Sequence, residues 1–188
     1  MLSFVPLVLF LLVTLATLIR GLSVRARTGV SAFAFLEARG LQRVAGFAFG
    51  LAITALVAAS LLLALGRLAA PPAALAAGSA LMGLGALAVL VAQRQMGDAW
   101  RVGVRAGDAP LFVTRGLFAF SRNPIFAGMI AMAIGAALAV ATAWGWAAAI
   151  VFALACHVQV RLEEAHLAAR FGTAYADFRR AVPRWLLR

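Results

Sequence analysis

The feature that most constrains this chain is a stretch of thirty-six residues, Ile125–Val160, without a charged side chain. A transmembrane α-helix needs about 20 apolar residues, so the stretch is too long for one crossing and slightly short for two. We expect a tight helical hairpin with Trp144 and Trp146 near the far interface, and a re-entrant hairpin is the alternative. Because 65% of the chain is hydrophobic, against about 45–50% in soluble domains, the sequence predicts an all-α polytopic membrane protein.

Three further apolar runs precede this hairpin. They are Leu2–Ile19, Val44–Gly66 and Ala73–Ala92, and Pro71-Pro72 marks the turn between the last two. The first run has the length of a signal peptide, but it lacks a basic leader, and arginines follow it in place of a small-residue cleavage site. We therefore interpret it as a retained helix, which predicts about five transmembrane helices in all.

The basic residues indicate how these helices are oriented. All seventeen are arginines, and sixteen fall in residues 20–43, 94–122 and 161–188, which leaves only Arg67 between the second and third runs. By the positive-inside rule, the amino terminus lies outside and the carboxyl terminus lies in the cytoplasm. The net charge of +11 favours contact with anionic headgroups, so membrane lipids are expected partners and nucleic acid is not.

The sequence Arg122-Asn123-Pro124 predicts the start of the fourth span. Proline suits the first helical position, and asparagine is a good cap just before it. The free N–H groups of this helix end and the Arg122 guanidinium would together form an anion site. The alternative is an arginine that reaches for the interface beside an ordinary capped helix.

Two adjacent carboxylates, Glu163 and Glu164, follow the end of the uncharged stretch. Such a pair is unfavourable at the end of an apolar helix unless it is solvated or neutralised. One interpretation is a solvated turn with ion pairs, in which Arg161 lies one turn from Glu164. The other is hydrogen bonding to the hydroxyls or the ammonium group of a bound polar cofactor.

The last residues predict a short helical cap on the cytoplasmic side. Gly172 suits the left-handed position that ends a helix. Beyond it Tyr175, Phe178 and Val182 recur at turn spacing before Pro183, so we expect an amphipathic interfacial helix that lies over the hairpin.

Glycine pairs occur in two of the predicted spans. Gly83 and Gly85 lie in the third span, and Gly46 and Gly50 lie in the second. Small residues at such spacings let helix backbones approach closely, so by themselves they predict helix packing.

Taken in order, these elements resemble the C-terminal signature of the integral-membrane methyltransferases that include isoprenylcysteine carboxyl methyltransferases and phospholipid N-methyltransferases. The resemblance covers roughly residues 83–185. The segments at Gln93-Met96-Gly97 and Trp100-Arg101 are similar to the bacterial branch, which implies a bacterial inner membrane. Two positions, Pro110 and Phe178, differ from the eukaryotic isoprenylcysteine enzymes.

The resemblance implies S-adenosylmethionine as cofactor and a lipophilic small molecule or lipid as the methyl acceptor, with no metal site. It assigns catalytic roles to Arg122 and Glu164. The residues that it implies for cofactor binding are Gly83, Gly85, Gln93, Asn123, Pro124, Glu163 and Tyr175. We expect one domain over residues 1–188, in which residues 1–70 are N-terminal helices and residues 73–188 are the cofactor-binding core.

Two other classes of function are compatible with this sequence. Sterol reductases have a similar C-terminal half and use a nicotinamide cofactor, but they are usually much longer. A non-catalytic membrane scaffold is the third interpretation. Binding of S-adenosylhomocysteine, of NADPH or of neither distinguishes the three.

Overall fold

Every element that the structure describes is a helix. The structure is a computed structural model, and it describes residues 2–29, 39–97, 100 and 113–186. The helices are α1 (Val5–Thr28), α2 (Gly40–Ala64), α3 (Pro72–Met96), α4 (Pro124–Val140) and α5 (Ala143–Ala181), and short 3-10 turns occur at Leu2–Phe4 and Gly116–Ala119. The predicted all-α fold class is confirmed.

Four of these helices, α1, α2, α3 and α5, are long and apolar enough to cross a membrane. The apolar helix α4 has 17 residues, which is shorter than the ~20 residues of a typical span. It is joined to α5 through Ala141 and Thr142 alone, so the predicted tight hairpin is confirmed. Trp144 and Trp146 follow this turn and are 42% and 40% exposed, and their location at a membrane interface stays a prediction.

Two helices extend past the ends of the apolar runs that predicted them. Helix α1 continues from Ile19 to Thr28, and α3 continues to Met96. Arginine is a good helix former, so a charged residue does not by itself end a helix. The helices end instead at glycines with positive φ, Gly29 (φ 71°) and Gly97 (φ 56°), a conformation that other residues rarely adopt.

Helices α3 and α4 pack with their backbones in contact. A Cβ on Gly85 would lie 2.5 Å from the Gly128 carbonyl oxygen, and a Cβ on Gly135 would lie 2.6 Å from that of Gly78. Gly78 and Gly85 are seven residues apart, as are Gly128 and Gly135, so each pair lies on one helix face two turns apart. Close packing of this kind needs glycine on both helices.

The other glycines of the predicted pairs do not make such contacts. A Cβ added at Gly83, Gly46 or Gly50 would meet no atom within 4 Å. The expected close approach is therefore wrong at these three positions. Residues two apart on a helix point in nearly opposite directions, so Gly83 and Gly85 cannot both face α4.

The main core lies between the helices and is entirely apolar. Leu56, Met82, Met132, Phe152 and Cys156 belong to it and are 0–3% exposed. Phe152 and Cys156 are four residues apart, so they define the side of α5 that faces the core. The buried Cys156 thiol behaves as the small hydrophobic side chain that its surroundings require.

Candidate functional site

The site lies where α4 begins and where the charged part of α5 returns to the same end of the hairpin. Arg122 directs its guanidinium into the protein, and its side chain is only 8% exposed. Its Nε and Nη2 donate to Glu164 Oε1 at 3.1 and 2.9 Å. Its Nη1 donates to the carbonyl oxygens of Val182 at 2.7 Å and Arg179 at 3.3 Å. The cation that we expected to hold an external anion is therefore bound by the protein itself.

The Glu164 carboxylate is enclosed by three donors. Besides Arg122, it accepts hydrogen bonds from Arg184 Nε and Nη2 at 3.1 and 2.8 Å on Oε2, and from Asn123 Nδ2 at 3.2 Å on Oε1. Its side chain is 7% exposed. Each guanidinium places two donors on one oxygen of this buried carboxylate, and charge-assisted hydrogen bonds of this kind are strong. Glu164 is therefore ion-paired, but it is buried rather than solvated, and its partners are Arg122 and Arg184 rather than Arg161.

Asn123 occupies the N-cap position of α4, but its side chain does not cap the helix. The amide nitrogen Nδ2 donates instead to Glu164 and to the Arg184 carbonyl oxygen at 3.2 Å. Ser121 Oγ accepts from the Asn123 backbone N–H at 3.1 Å. The predicted capping role of the Asn123 side chain is therefore wrong, because a buried carboxylate competes for its amide. Pro124 opens α4 as expected and is buried.

Arg184 is a member of this cluster that sequence reasoning did not select. It lies directly after the proline that ends the last helix, and only that position in the chain hinted at a role. Its backbone carbonyl accepts from Ser121 Oγ at 3.2 Å, and its guanidinium pairs with Glu164. The hydrogen bond to the Glu164 carboxylate raises the pKa of Arg184 above its ordinary value. Arg184 therefore stays charged and ties the C-terminal segment to the start of α4.

The last helical segment packs as its spacing predicted. Gly172 interrupts α5 with φ 52° and ψ −121°, so the chain changes direction there. Beyond it Tyr175, Phe178 and Val182 form one buried cluster with residues of the preceding turns of α5. Tyr175 is 1% exposed, and its ring is part of that cluster. The cap is thus held against α5 and the start of α4.

Glu163 lies in different surroundings from its neighbour. It is partly buried, and its Oε1 accepts one hydrogen bond from Gln159 Nε2 at 3.1 Å. Among the ion pairs between described residues, none involves Glu163. Seven residues, about two turns, separate it from Cys156, so it continues the core-facing side of α5 beyond the apolar core. His166 lies one turn further on this side, and its buried Nε2 has no hydrogen-bond partner among the described residues.

A shallow pocket opens on the opposite side of Glu164. Its volume is about 170 Å³. The residues that line it are Arg161, Glu164, Ala165, Ala168, Arg179 and Arg184. Three arginines face a single carboxylate there, so the pocket carries a positive charge.

Gly85 and Gln93 of α3, which we expected to bind the cofactor, contact neighbouring helices. Gln93 is buried, and its Nε2 donates to Thr17 Oγ1 on α1 at 2.9 Å. Gln95, which sequence reasoning did not select, accepts from the Leu117 N–H at 2.8 Å and so fixes the turn before α4. The space beside Gly85 is occupied by α4, as described above. The structure therefore joins Arg122, Asn123 and Glu164 in one cluster but does not bring Gly85 or Gln93 into it.

The chain matches one known family. A sequence model of the phospholipid methyltransferase family matches residues 73–174, just over half of the chain. The match spans α3, α4 and α5 as far as the break at Gly172, and so includes the Arg122–Glu164 pair. No significant match is found among curated proteins or among solved structures. The apolar helices and the family match together make this an integral membrane protein that belongs to the phospholipid methyltransferase family.

Proposed function

We propose that the protein transfers a methyl group from S-adenosylmethionine to a lipophilic or membrane-embedded acceptor at the cytoplasmic interface, in a bacterial inner membrane. The family match supports methyl transfer. The observation that carries the choice of cofactor is the difference between the two glutamates. Glu164 is neutralised by two arginines, whereas Glu163 has one hydrogen bond and no ion pair among the described residues.

The residues around Glu163 fit the polar end of this cofactor. A partly buried carboxylate is unfavourable without a cation or hydrogen-bond donors. S-adenosylmethionine offers an ammonium group and ribose hydroxyls, and each of them can donate to Glu163. The Nε2 of His166 on the same side of α5 has no hydrogen-bond partner among the residues described, and it adds a second group able to bond with a polar ligand. Gln159, Glu163 and His166 thus form a polar face directly below the apolar core.

The contacts of the cluster change the roles that the sequence suggested for Arg122 and Glu164. Both side chains are satisfied within the protein, so we infer that they are positioning residues. Arg122 and Glu164 join the start of α4 to α5, and Asn123 and Arg184 complete the same cluster. This cluster holds the turn of α5 that carries Glu163 in a defined orientation. We assign no cofactor contact to Gly85, whereas the open space around Gly83 is compatible with the predicted contact there.

Methyl transfer of this kind requires the side chains mainly to bind and orient the reactants. S-adenosylmethionine, when bound, supplies an electrophilic methyl group attached to a sulfonium. Alignment of the acceptor and exclusion of water account for most of the acceleration in a displacement of this kind. An acceptor that is a protonated amine must first lose a proton, and His166 is the neighbouring group able to accept it. Because the helices are apolar, a lipophilic acceptor can reach the site from within the membrane.

Calorimetry on the full chain in detergent tests the proposal. We expect saturable binding of S-adenosylhomocysteine and none of NADPH. A protein that binds NADPH instead is a reductase, and one that binds neither supports the scaffold interpretation. Either result overturns the proposal.

A further inference from the structure

The pocket beside Glu164 has a positive charge that no acid among the described residues neutralises. Three arginines and one glutamate line it, a net charge of +2. Glu164 is already shared between Arg122 and Arg184. Arg161 and Arg179 are exposed, and neither takes part in an ion pair between described residues. Two guanidinium groups therefore line the pocket without an acidic partner in the part of the chain that the structure describes.

The wall of this pocket is held in place by the start of α4. The Arg179 carbonyl accepts from Arg122 Nη1 at 3.3 Å, and the Arg184 carbonyl accepts from Ser121 Oγ at 3.2 Å. The backbone at Arg179 and Arg184 is thus fixed by residues outside the pocket. A site whose backbone is already ordered loses less conformational entropy on binding a ligand.

The pocket begins where the uncharged stretch of the chain ends. Arg161 is the first charged residue after the uncharged stretch that ends at Val160. Ala165 and Ala168, which also line the pocket, lie on the next two turns of α5. Basic side chains just beyond a transmembrane helix attract anionic lipid headgroups. The volume of about 170 Å³ is more than ten times the roughly 10–15 Å³ that a cavity needs to hold one water, so a phosphate group fits.

This pocket is separate from the side of α5 that carries Glu163. Successive residues on a helix are roughly 100° apart, so Arg161 and Glu163 lie on opposite flanks of Glu164. A small ligand therefore cannot touch both. The inference below consequently does not depend on the proposed methyl transfer.

We propose that Arg161, Arg179 and Arg184 bind the phosphate of an anionic phospholipid from the surrounding membrane. Guanidinium groups match the oxygens of a phosphate in pairs, and arginine is the usual residue for this recognition. The lipid is favoured over free phosphate because its acyl chains lie against the apolar helices while its headgroup reaches Arg161. The bound lipid would bridge α5 and the C-terminal segment.

The test is a titration of the full chain in detergent with dihexanoyl-phosphatidylglycerol, followed by microscale thermophoresis. Parallel arms use dihexanoyl-phosphatidylcholine and inorganic phosphate. We expect saturable binding of the phosphatidylglycerol, with at least tenfold weaker binding of the other two probes. The double variant Arg161→Gln/Arg179→Gln should weaken phosphatidylglycerol binding at least tenfold.

The matched control is Arg180→Gln. Arg180 is next to Arg179 but is exposed, pairs with Asp177 and does not line the pocket, so its loss should leave the affinity within about twofold, as expected for an exposed pair. Equal losses in the control and the double variant, or no loss in the double variant, would mean that the lipid responds to overall surface charge and would overturn the proposal. Inorganic phosphate that binds as tightly as the lipid would overturn the assignment to a lipid. Because both substituted arginines are exposed, the double variant should keep its elution profile and its melting temperature.

Discussion

Arg122 and Glu164 are forty-two residues apart in the sequence, yet Nη2 of one and Oε1 of the other lie 2.9 Å apart in a nearly buried ion pair. The pair connects the residue that precedes the N-cap of α4 with the first turns of α5 that follow the uncharged stretch. Arg184 adds a second guanidinium from the C-terminal segment. Three separate parts of the chain are therefore joined at one carboxylate.

Loss of Arg122 should destabilise the protein. Arg122→Ala removes the hydrogen bonds to Glu164 and leaves the carbonyls of Val182 and Arg179 without this donor. Breaking a buried pair costs about 3–5 kcal/mol, and we expect the lower end because Arg184 still compensates Glu164. The melting temperature in detergent measures the effect. Arg180→Ala is the control, since its pair with Asp177 is exposed and such pairs contribute roughly 0–1 kcal/mol; equal melting temperatures for the two variants would contradict the prediction.

The two glutamates should respond differently to the same isosteric change. Glu163→Gln should weaken the binding of S-adenosylhomocysteine roughly ten- to a hundredfold, which corresponds to the loss of a charge-assisted hydrogen bond of about 1.5–3 kcal/mol. Its melting temperature should stay near that of the parent. Glu164→Gln should lower the melting temperature, because two arginines lose their carboxylate.

Calorimetry and thermal unfolding on the same preparations separate the two effects. The reverse pattern, in which Glu164→Gln loses binding without a change in stability, would restore the cofactor role that the sequence suggested for Glu164. That outcome would leave Glu163 as an ordinary interfacial carboxylate.

Gly85 and Gly83 form a natural pair for testing the packing of α3 on α4. Gly85→Ala places a Cβ 2.5 Å from the Gly128 carbonyl oxygen, so the helices must separate, and overpacking of this kind costs about 1–3 kcal/mol. Gly83→Ala meets no atom within 4 Å and should be neutral or stabilising, since alanine favours the helix by roughly 0.5–1 kcal/mol. Thermal unfolding ranks the variants, and a Gly83→Ala variant less stable than Gly85→Ala would refute this description of the helix contact.

The orientation of the chain is tested by fusions at two positions. Green fluorescent protein attached after Arg188 should fluoresce, because the positive-inside rule puts the carboxyl terminus in the cytoplasm. Alkaline phosphatase inserted after Arg67 should be active, since that turn is expected on the outer face. A fluorescent fusion at residue 67 together with active phosphatase at the carboxyl terminus would show that the topology is the reverse of the predicted one.

Much of the helical fold could be predicted because its signals are local. Uncharged runs, Pro72 at the start of α3, Pro124 at the start of α4 and the glycine break at Gly172 all act within a turn or two of the backbone. The helix ends were predicted less accurately, since α1 and α3 continue through charged residues until Gly29 and Gly97. Lipid requires the backbone hydrogen bonds to be made within each segment, and apolar length alone therefore indicates a helix.

The site could be predicted only in part. The sequence by itself determined that Arg122, Asn123 and Glu164 would come to one end of the hairpin, because a hairpin returns the chain to the side from which it started. The tertiary structure decided what each side chain does there. The Asn123 amide binds Glu164 rather than the helix end, and Arg184 joins the cluster. Glu163 has a different hydrogen-bond partner from its neighbour. Adjacent positions on a helix point about 100° apart, so two glutamates that look equivalent in sequence meet different partners, and only the packing of distant segments determines which one is neutralised.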